Sequence, residues 1–239
     1  MNSSIEGHRI VATAPGERTS PTAPLTPDPP ESAPQGAAGE TREAALDNRT
    51  FVLVLQHPRE RRNTLATAEL IPALLRRARL VVGLSWPNLG QALGRRAEPG
   101  DWAVLYLGSA RVVAPGPPAE IVALDRQGET AADQRAALAG IKGIVLLDGT
   151  WKEAKTLWWR NPWLLKLRRL VLAPATAARY GRVRREPRRE ALSTLEAAAL
   201  ALKHLEARPE IERALLDRLD RLIAEAPPAH PPSHGRVSR

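Results

Sequence analysis

The sequence predicts an α/β protein built on an open, mostly parallel β-sheet. Short apolar runs alternate with longer helical patterns, as expected of strands joined by crossover helices. The runs are nearly continuous in apolar residues, which is typical of parallel strands covered on both faces. With 239 residues, 43% of them hydrophobic, the chain is large enough for one or two domains with a real core.

The elements follow in order along the chain. Five apolar runs are predicted as strands: TFVLVLQ (50–56), RLVVGLS (79–85), DWAVLYLG (101–108), GIVLLD (143–148) and LRRLVLAP (167–174). A weaker apolar run lies at 121–124, after the loop APGPPAE. Helices are predicted at 65–77, 131–139, 151–160, 194–206 and 209–225, with a short helical turn at 87–93. Pro72 is expected to break or kink the first helix, and Pro209 fits the first turn of the last.

Both chain ends are predicted to be disordered. Residues 1–48 are rich in Pro, Ala, Thr and Gly, so they cannot bury enough apolar surface to offset chain entropy. Residues 227–239 form a similar, Pro-rich tail. The expected organisation is a disordered tail at 1–48, one α/β catalytic domain at 49–226 and a second tail at 227–239.

Composition excludes several classes of function. The chain has no cysteine, which rules out disulfides, iron–sulfur clusters, thiolate metal sites and a cysteine nucleophile. Two of its five histidines lie in the C-terminal tail, so no metal site is expected. No apolar run is long enough to span a membrane and no signal-peptide pattern is present, so we expect a cytoplasmic protein without a membrane partner.

The charge is unevenly distributed and suggests a polyanionic partner. The net charge is +9, yet residues 1–48 hold three arginines and seven acids. The other residues hold 32 basic and 19 acidic side chains. A folded part this basic favours nucleic acid, although a general preference for arginine is the alternative interpretation.

The carboxyl ends of the strands are the expected binding edge, because ligands of open α/β sheets bind there. This edge comprises the loops 56–63, 108–118, 148–151 and 174–193. In the turn DGTW, Gly149 permits a tight bend, and Thr150 with Glu153 fits a capping box. Asp148 is therefore either the first residue of a turn or a carboxylate that faces the site.

Tryptophans cluster after this turn. Four of the six in the chain are Trp151, Trp158, Trp159 and Trp163. Their helical spacing predicts that most belong to the core. One of them is a candidate to stack on a base or on adenine.

Two further polar segments lie on the same edge. QHPRERRNT (56–64) offers His57 and Glu60 as acid–base groups; it is alternatively a polar turn that ends in a helix cap at Asn63 or Thr64. RYGRVRREPRRE (179–190) is suited to phosphate binding, or is a solvated loop. A second capping box, Ser193 to Glu196, follows it, and its helix amides are a candidate site for a carboxylate or phosphate. No Gly-rich phosphate loop, Rossmann fingerprint, GxSxG or HExxH motif is present.

These segments together resemble the DTW-domain proteins. The matching motifs, in order from about residue 50 to 206, are HPRE (57–60), NT (63–64), LDGTW (147–151), Pro162 with Leu164, Tyr180 with Arg182 and Arg184, and LSTLEA (192–197). The family includes tRNA-uridine aminocarboxypropyltransferases, and a related branch modifies small-subunit ribosomal RNA. The resemblance implies a fold similar to the knotted SPOUT RNA methyltransferases, a class that often dimerises through its C-terminal helices. Many members also carry an N-terminal cysteine cluster that looks zinc-binding, and this chain lacks it.

The resemblance implies transfer of the 3-amino-3-carboxypropyl group of S-adenosylmethionine to N3 of a tRNA uridine, with release of methylthioadenosine. By analogy Asp148 is the base, with His57 or Glu60 as the alternative. The residues expected to bind the donor are Leu107, Gly108, Leu147, Trp151, Leu192, Ser193, Thr194 and Glu196. The residues expected to bind RNA are Arg179, Tyr180, Arg182, Arg184, Arg185 and Arg188. The alternatives are the same transfer to ribosomal RNA, RNA methylation, and RNA binding without catalysis.

Overall fold

The computed structural model describes residues 45–60, 67–105, 120–172 and 192–225, all within the compact unit Arg42–Arg239. The predicted tails fall almost entirely outside these residues. The strands are β1 (Phe51–Gln56), β2 (Ala78–Val82), β3 (Trp102–Leu105), β4 (Ile121–Leu124), β5 (Gly143–Asp148) and β6 (Arg168–Leu172). The helices are α1 (Thr67–Leu74), α2 (Leu89–Leu93), α3 (Gln134–Leu138), α4 (Trp151–Arg160), α5 (Thr194–Glu206) and α6 (Pro209–Glu225), with 3₁₀ turns at Pro99–Asp101 and Pro162–Lys166.

The strands form one six-stranded sheet in the order β2-β1-β5-β3-β6-β4. All neighbouring pairs are parallel except β4 with β6, which is antiparallel. The α/β class and the mostly parallel sheet are thus confirmed. The run 121–124, predicted only as a weak apolar segment, is a fully buried edge strand.

Side chains of β1, β2, β3 and β5 alternate between two cores. In β1, Val52 and Val54 enter one core, whereas Leu53 and Leu55 enter the other. The first core is covered by α1, α3, α5 and α6, and we call this side the α5 face. The second is covered by α2, α4 and the turn at 162–166, and we call it the α4 face.

Helix α5 runs the length of the sheet on the α5 face. Its first residue, Thr194, lies at the carboxyl end of β5, where it contacts Asp148. At its other end, Glu206 accepts hydrogen bonds from the backbone amides of Arg49 and Thr50, at 2.8 and 2.7 Å, beside the start of β1. The start of α5 is therefore fixed at the carboxyl ends of the strands, and the end of α5 is fixed at their amino ends.

Most of the clustered tryptophans were predicted to belong to the core, but two of the four are exposed. Trp163 is buried and Trp158 is half-buried, but Trp151 is 45% exposed and Trp159 is 79% exposed. The reason is that Ala154 and Leu157 form the buried stripe of α4. Helical spacing shows which residues share a face but does not show which face meets the sheet.

The chain changes direction at the pair β1 and β5. From β1 it passes through α1 on the α5 face to β2, at one edge of the sheet. From β5 it passes through α4 on the opposite face to β6, towards the other edge. The carboxyl ends of β1 and β5 are therefore the switch point of the sheet, which is where such sheets bind ligands.

The knotted path implied by the resemblance stays a prediction, since the segment 173–191 that joins β6 to α5 lies outside the described residues. Among the helices that the structure describes, none is both long and apolar enough to cross a membrane.

Candidate active site

The register of the central strands brings Gln56 and Asp148 together. The two residues are paired at the carboxyl ends of β1 and β5, and both side chains follow the even-numbered residues onto the α5 face. The Gln56 amide nitrogen donates a hydrogen bond to Asp148 Oδ2 at 3.0 Å. Gln56 is only 1% exposed, so this contact lies at the edge of the core.

Thr194 reaches Asp148 from helix α5. Its hydroxyl donates to Asp148 Oδ1, the other oxygen of the carboxylate. A capping box fixes this position: the Ser193 amide donates to Glu196 Oε2 at 2.8 Å, and the Glu196 amide donates to Ser193 Oγ at 3.2 Å. The capping box therefore determines which hydroxyl faces the carboxylate.

Asp148 thus accepts one donor on each oxygen, from elements far apart in sequence. Hydrogen bonds to a carboxylate stabilise its charged form, and the adjacent helix N-terminus does the same. Because Asp148 Oδ2 accepts this hydrogen bond, the Gln56 side chain is oriented with its amide nitrogen towards Asp148. Gln56 Oε1 is left without a hydrogen-bond partner among the described residues, although it is buried. The site is a carboxyl group held by two side-chain hydrogen bonds at the sheet switch point.

His57 continues β1 but serves the other face of the sheet. Its amide donates to the Asp148 carbonyl at 2.9 Å, which extends the ladder between β1 and β5. Its Nδ1 lies 3.6 Å from Glu153 Oε1 of α4 and accepts from the Arg59 amide at 3.3 Å. The contact with Glu153 is an ion pair when His57 is protonated, and in that form Nδ1 donates and no longer accepts from the Arg59 amide. The side chains of His57 and Asp148, both predicted as catalytic, are thus on opposite faces.

The turn between β5 and α4 confirms the predicted capping box. Thr150 donates to Glu153 Oε2 through its amide at 2.9 Å and through its hydroxyl at 2.8 Å. Gly149 has a φ of +154°, and a Cβ there would lie 2.9 Å from Glu153 Cβ and 3.3 Å from His57 Cβ. Glycine is needed because the turns after β1 and β5 meet at this point. Thr150 caps the helix, which leaves Asp148 to face α5.

Glu153 stays ionised under mildly acidic conditions. Burial raises the pKa of its carboxyl, but hydrogen bonds from the Thr150 hydroxyl and amide and the nearby charges of His57 and Arg59 outweigh burial, and the pKa lies below its usual value. The start of α4 therefore carries a stable negative charge, which interacts favourably with the positive end of the helix dipole.

The other predicted residues divide into three groups. Glu60 is buried in the turn after β1, where its amide donates to the His57 carbonyl at 3.0 Å. Of the predicted donor-binding residues, Leu147 and Leu192 are half-buried, Trp151 is exposed, and Ser193, Thr194 and Glu196 form the capped start of α5. Outside the described residues lie Asn63, Thr64, Leu107, Gly108, Arg179, Tyr180, Arg182, Arg184, Arg185, Arg188 and Arg189.

Gln56 was not predicted from the sequence as a site residue. It is the one polar side chain at the end of the apolar run FVLVLQ, which was a usable signal. What could not be read from sequence is that its register partner is Asp148, because the pairing of β1 with β5 joins strands more than 80 residues apart in the chain. Within the parts of the chain that the structure describes, no group of His, Asp or Glu is arranged to hold a metal ion.

Comparisons with known proteins match most of this chain. A family model described as the DTW domain matches residues 38–226. A curated relative from Drosophila melanogaster, named tRNA-uridine aminocarboxypropyltransferase 2, is 31% identical over 175 residues, which are 72% of this chain and 62% of the relative. Relatives of the same name from Macaca fascicularis and Mus musculus are 28% and 29% identical over 73% of this chain. The chain spans 54% to 62% of the length of these relatives. No solved structure gives a significant match.

Proposed function

The chain belongs to the DTW domain family, and from this we propose that it transfers the 3-amino-3-carboxypropyl group of S-adenosylmethionine to N3 of a tRNA uridine. The names of its relatives support a transferase that acts on tRNA. The main structural support for this proposal is the Asp148 carboxylate, which accepts hydrogen bonds from Gln56 and Thr194 at the sheet switch point.

The residues present fit such a donor. S-adenosylmethionine carries a sulfonium and an ammonium group, and an ionised carboxylate suits both. Leu147 packs against the core of the α4 face, but Trp151 follows Asp148 by three residues and is 45% exposed, so it offers aromatic surface for an adenosyl group. The Ser193 amide is already bonded to Glu196, so a donor carboxylate at α5 would use the Thr194 and Leu195 amides.

The proposed reaction balances without a further reagent. Uridine N3 forms a bond to the γ-carbon of the aminocarboxypropyl chain while the bond between that carbon and sulfur breaks. The electron pair leaves with sulfur, which gives neutral methylthioadenosine, and the N3 proton passes to Asp148. Because a sulfonium is a good leaving group, the protein contributes mainly alignment of the reacting atoms and a proton acceptor.

Replacing Asp148 with Asn tests this proposal. We expect Asp148→Asn to lower the formation of aminocarboxypropyluridine by about 100-fold or more, as is typical for loss of a positioned base. The fold should persist, because the Thr194 hydroxyl can rotate to donate or accept. The measurement is mass spectrometry of tRNA nucleosides together with methylthioadenosine release.

The matched control is Asp217→Asn on the exposed surface of α6, which should leave the rate unchanged. Undiminished modification by Asp148→Asn would remove Asp148 from the mechanism. Adenosylhomocysteine as product would instead identify a methyltransferase, and a mark found only on ribosomal RNA would change the substrate. RNA binding without any donor-dependent product would mean a non-catalytic module.

A further inference from the structure

The outward face of α4 is unusually aromatic for a solvent-facing helix. Trp159 is 79% exposed and Trp151 is 45% exposed. Tryptophan is seldom left in water to this extent, since its burial is strongly favourable. The packing of α4 does not account for it, because Ala154 and Leu157 make the buried contact with the sheet.

Lysines accompany these rings. At 100° per residue, Lys152 and Lys155 lie on the same side of α4 as Trp159, and both are exposed. Lys155 Nζ is 5.5 Å from the centroid of the Trp151 ring. Trp151, Lys155 and Trp159 are spaced four residues apart and form a row about 12 Å long. We call Trp151, Lys152, Lys155 and Trp159 the α4 platform.

The platform begins at the same edge of the sheet as the candidate active site, although the Asp148 side chain turns to the opposite face, towards α5. Trp151 is the first residue of α4 and follows Asp148 by three residues. The row therefore leads from the carboxyl edge of the sheet along the outer surface of the α4 face. A polymer whose reacting unit lies at Asp148 would cross the carboxyl edge of the sheet and then extend along this row.

We propose that the α4 platform binds unpaired nucleotides of the RNA that flank the target uridine, with a base stacked on Trp159 and phosphates bound by Lys152 and Lys155. Aromatic side chains interleaved with cations are the chemistry that holds single strands, because every base has a π-face and every linkage has a charge. A second copy of this chain fits less well. A two-fold contact through the platform would bring lysines of both copies together.

This inference rests on the proposed function and is tested by RNA affinity rather than by catalysis. The probe is a dye-labelled, unstructured uridine-rich 12-nucleotide RNA, with a duplex of the same length for comparison. Trp159→Ala and Trp159→Leu should weaken binding of the single strand by roughly 5- to 100-fold, the range for loss of one stacked base. Trp159→Phe keeps an aromatic face and should bind within about threefold of wild type.

The lysines are tested by salt dependence. Lys152→Ala with Lys155→Ala should reduce the slope of log affinity against log salt by about 1.4, or roughly 0.7 for each phosphate contact to a single strand. The matched control removes the same charge from the α5 face, with Arg135→Ala and Arg213→Ala, both at exposed positions. This control should change the slope much less than the lysine pair.

Three results would overturn the proposal that the α4 platform binds unpaired nucleotides. One is wild-type affinity in Trp159→Ala, and another is equal affinity of Trp159→Leu and Trp159→Phe, which would indicate apolar area rather than stacking. The third is light scattering that shows a wild-type dimer dissociated by Trp159→Ala. Transfer to full-length tRNA by the wild-type protein is measured separately, so failure of the platform and failure of the proposed function are distinguishable.

Discussion

At the scale of single residues, the site depends on which face each side chain takes. Gln56 and Asp148 are register partners and point to the α5 face, whereas His57, one residue later, points to α4. A shift of one residue in either strand would exchange these roles, because strand side chains alternate. The carboxylate is therefore placed by the alternation of β1 and β5, and its orientation by Gln56 and Thr194.

Thr194 is predicted to act as a positioning residue through Asp148. Thr194→Val keeps the shape of the side chain but removes the donor to Asp148 Oδ1. We expect about a tenfold lower kcat, with the acidic limb of the pH–rate profile moved to higher pH, because the carboxylate loses a group that stabilises its charge. The measurement is kcat for tRNA modification across pH.

The control for this substitution is Thr156→Val. The Thr156 hydroxyl donates to the Lys152 carbonyl within α4 at 3.0 Å, so the same chemical change is made away from Asp148. A profile that keeps its acidic limb in Thr194→Val would show that Thr194 has no effect on the proton acceptor.

At the scale of elements, two capped helices begin beside the same strand end. Helix α4 begins with the box of Thr150 and Glu153, and α5 with the box of Ser193 and Glu196. The helices lie on opposite faces, yet both direct their N-termini towards the carboxyl edge. The positive ends of both helix dipoles therefore lie near Asp148. The N-terminus of each helix is capped by its own glutamate, Glu153 in α4 and Glu196 in α5.

Glu153 gives a prediction for stability against pH. Its pKa in the folded protein lies below the ordinary value of 4.5. The charged form therefore stabilises the fold at pH values above 4.5, and this contribution is lost as the pH falls through the lower, folded-state pKa. Glu153→Gln should lower the free energy of unfolding at pH 7 by about 0.3–1 kcal/mol, and the difference should be smaller at pH 3.

Urea unfolding at the two pH values measures this effect. Glu129→Gln, at an exposed position after β4, removes the same charge outside any helix start and should show a smaller difference at pH 7. A difference between wild type and Glu153→Gln that is as large at pH 3 as at pH 7 would contradict the role assigned to the charge.

The predicted bounds of α4, α5 and α6 are confirmed, because each helix start carries its own signal within four residues: Thr150 with Glu153, Ser193 with Glu196, and Pro209. Helix α1 ends at Leu74 rather than at 77, two residues after Pro72. Strand β4 was predicted only as a weak run, since its four apolar residues are too few to show a period.

At the scale of the whole molecule, the basic character of residues 49–239 is the feature that indicates RNA. The cluster Arg184, Arg185, Arg188 and Arg189 lies outside the described residues but is plain in the sequence. Replacing all four with alanine should weaken tRNA affinity and flatten its salt dependence, by up to about three units of slope if each arginine contacts a phosphate. Filter binding across a salt series measures this.

The variant Arg76→Ala, Arg79→Ala, Arg96→Ala and Arg135→Ala removes the same charge from exposed positions elsewhere. It should reduce the slope less than the clustered variant does. Equal slopes for the two variants would indicate that only net charge matters, with no defined phosphate contacts in the cluster.

The sequence by itself determined the class of fold, most of the elements and the strand ends at which the candidate site was expected, because helix caps, apolar runs and strand-end turns are local signals. It also contained the motifs that place the chain in its family. Only the tertiary structure decided that Gln56 and Thr194 hold Asp148, that His57 faces away from it, and that Trp159 lies in solvent. Strand register and helix orientation depend on contacts between residues far apart in the chain, and no local pattern records those contacts.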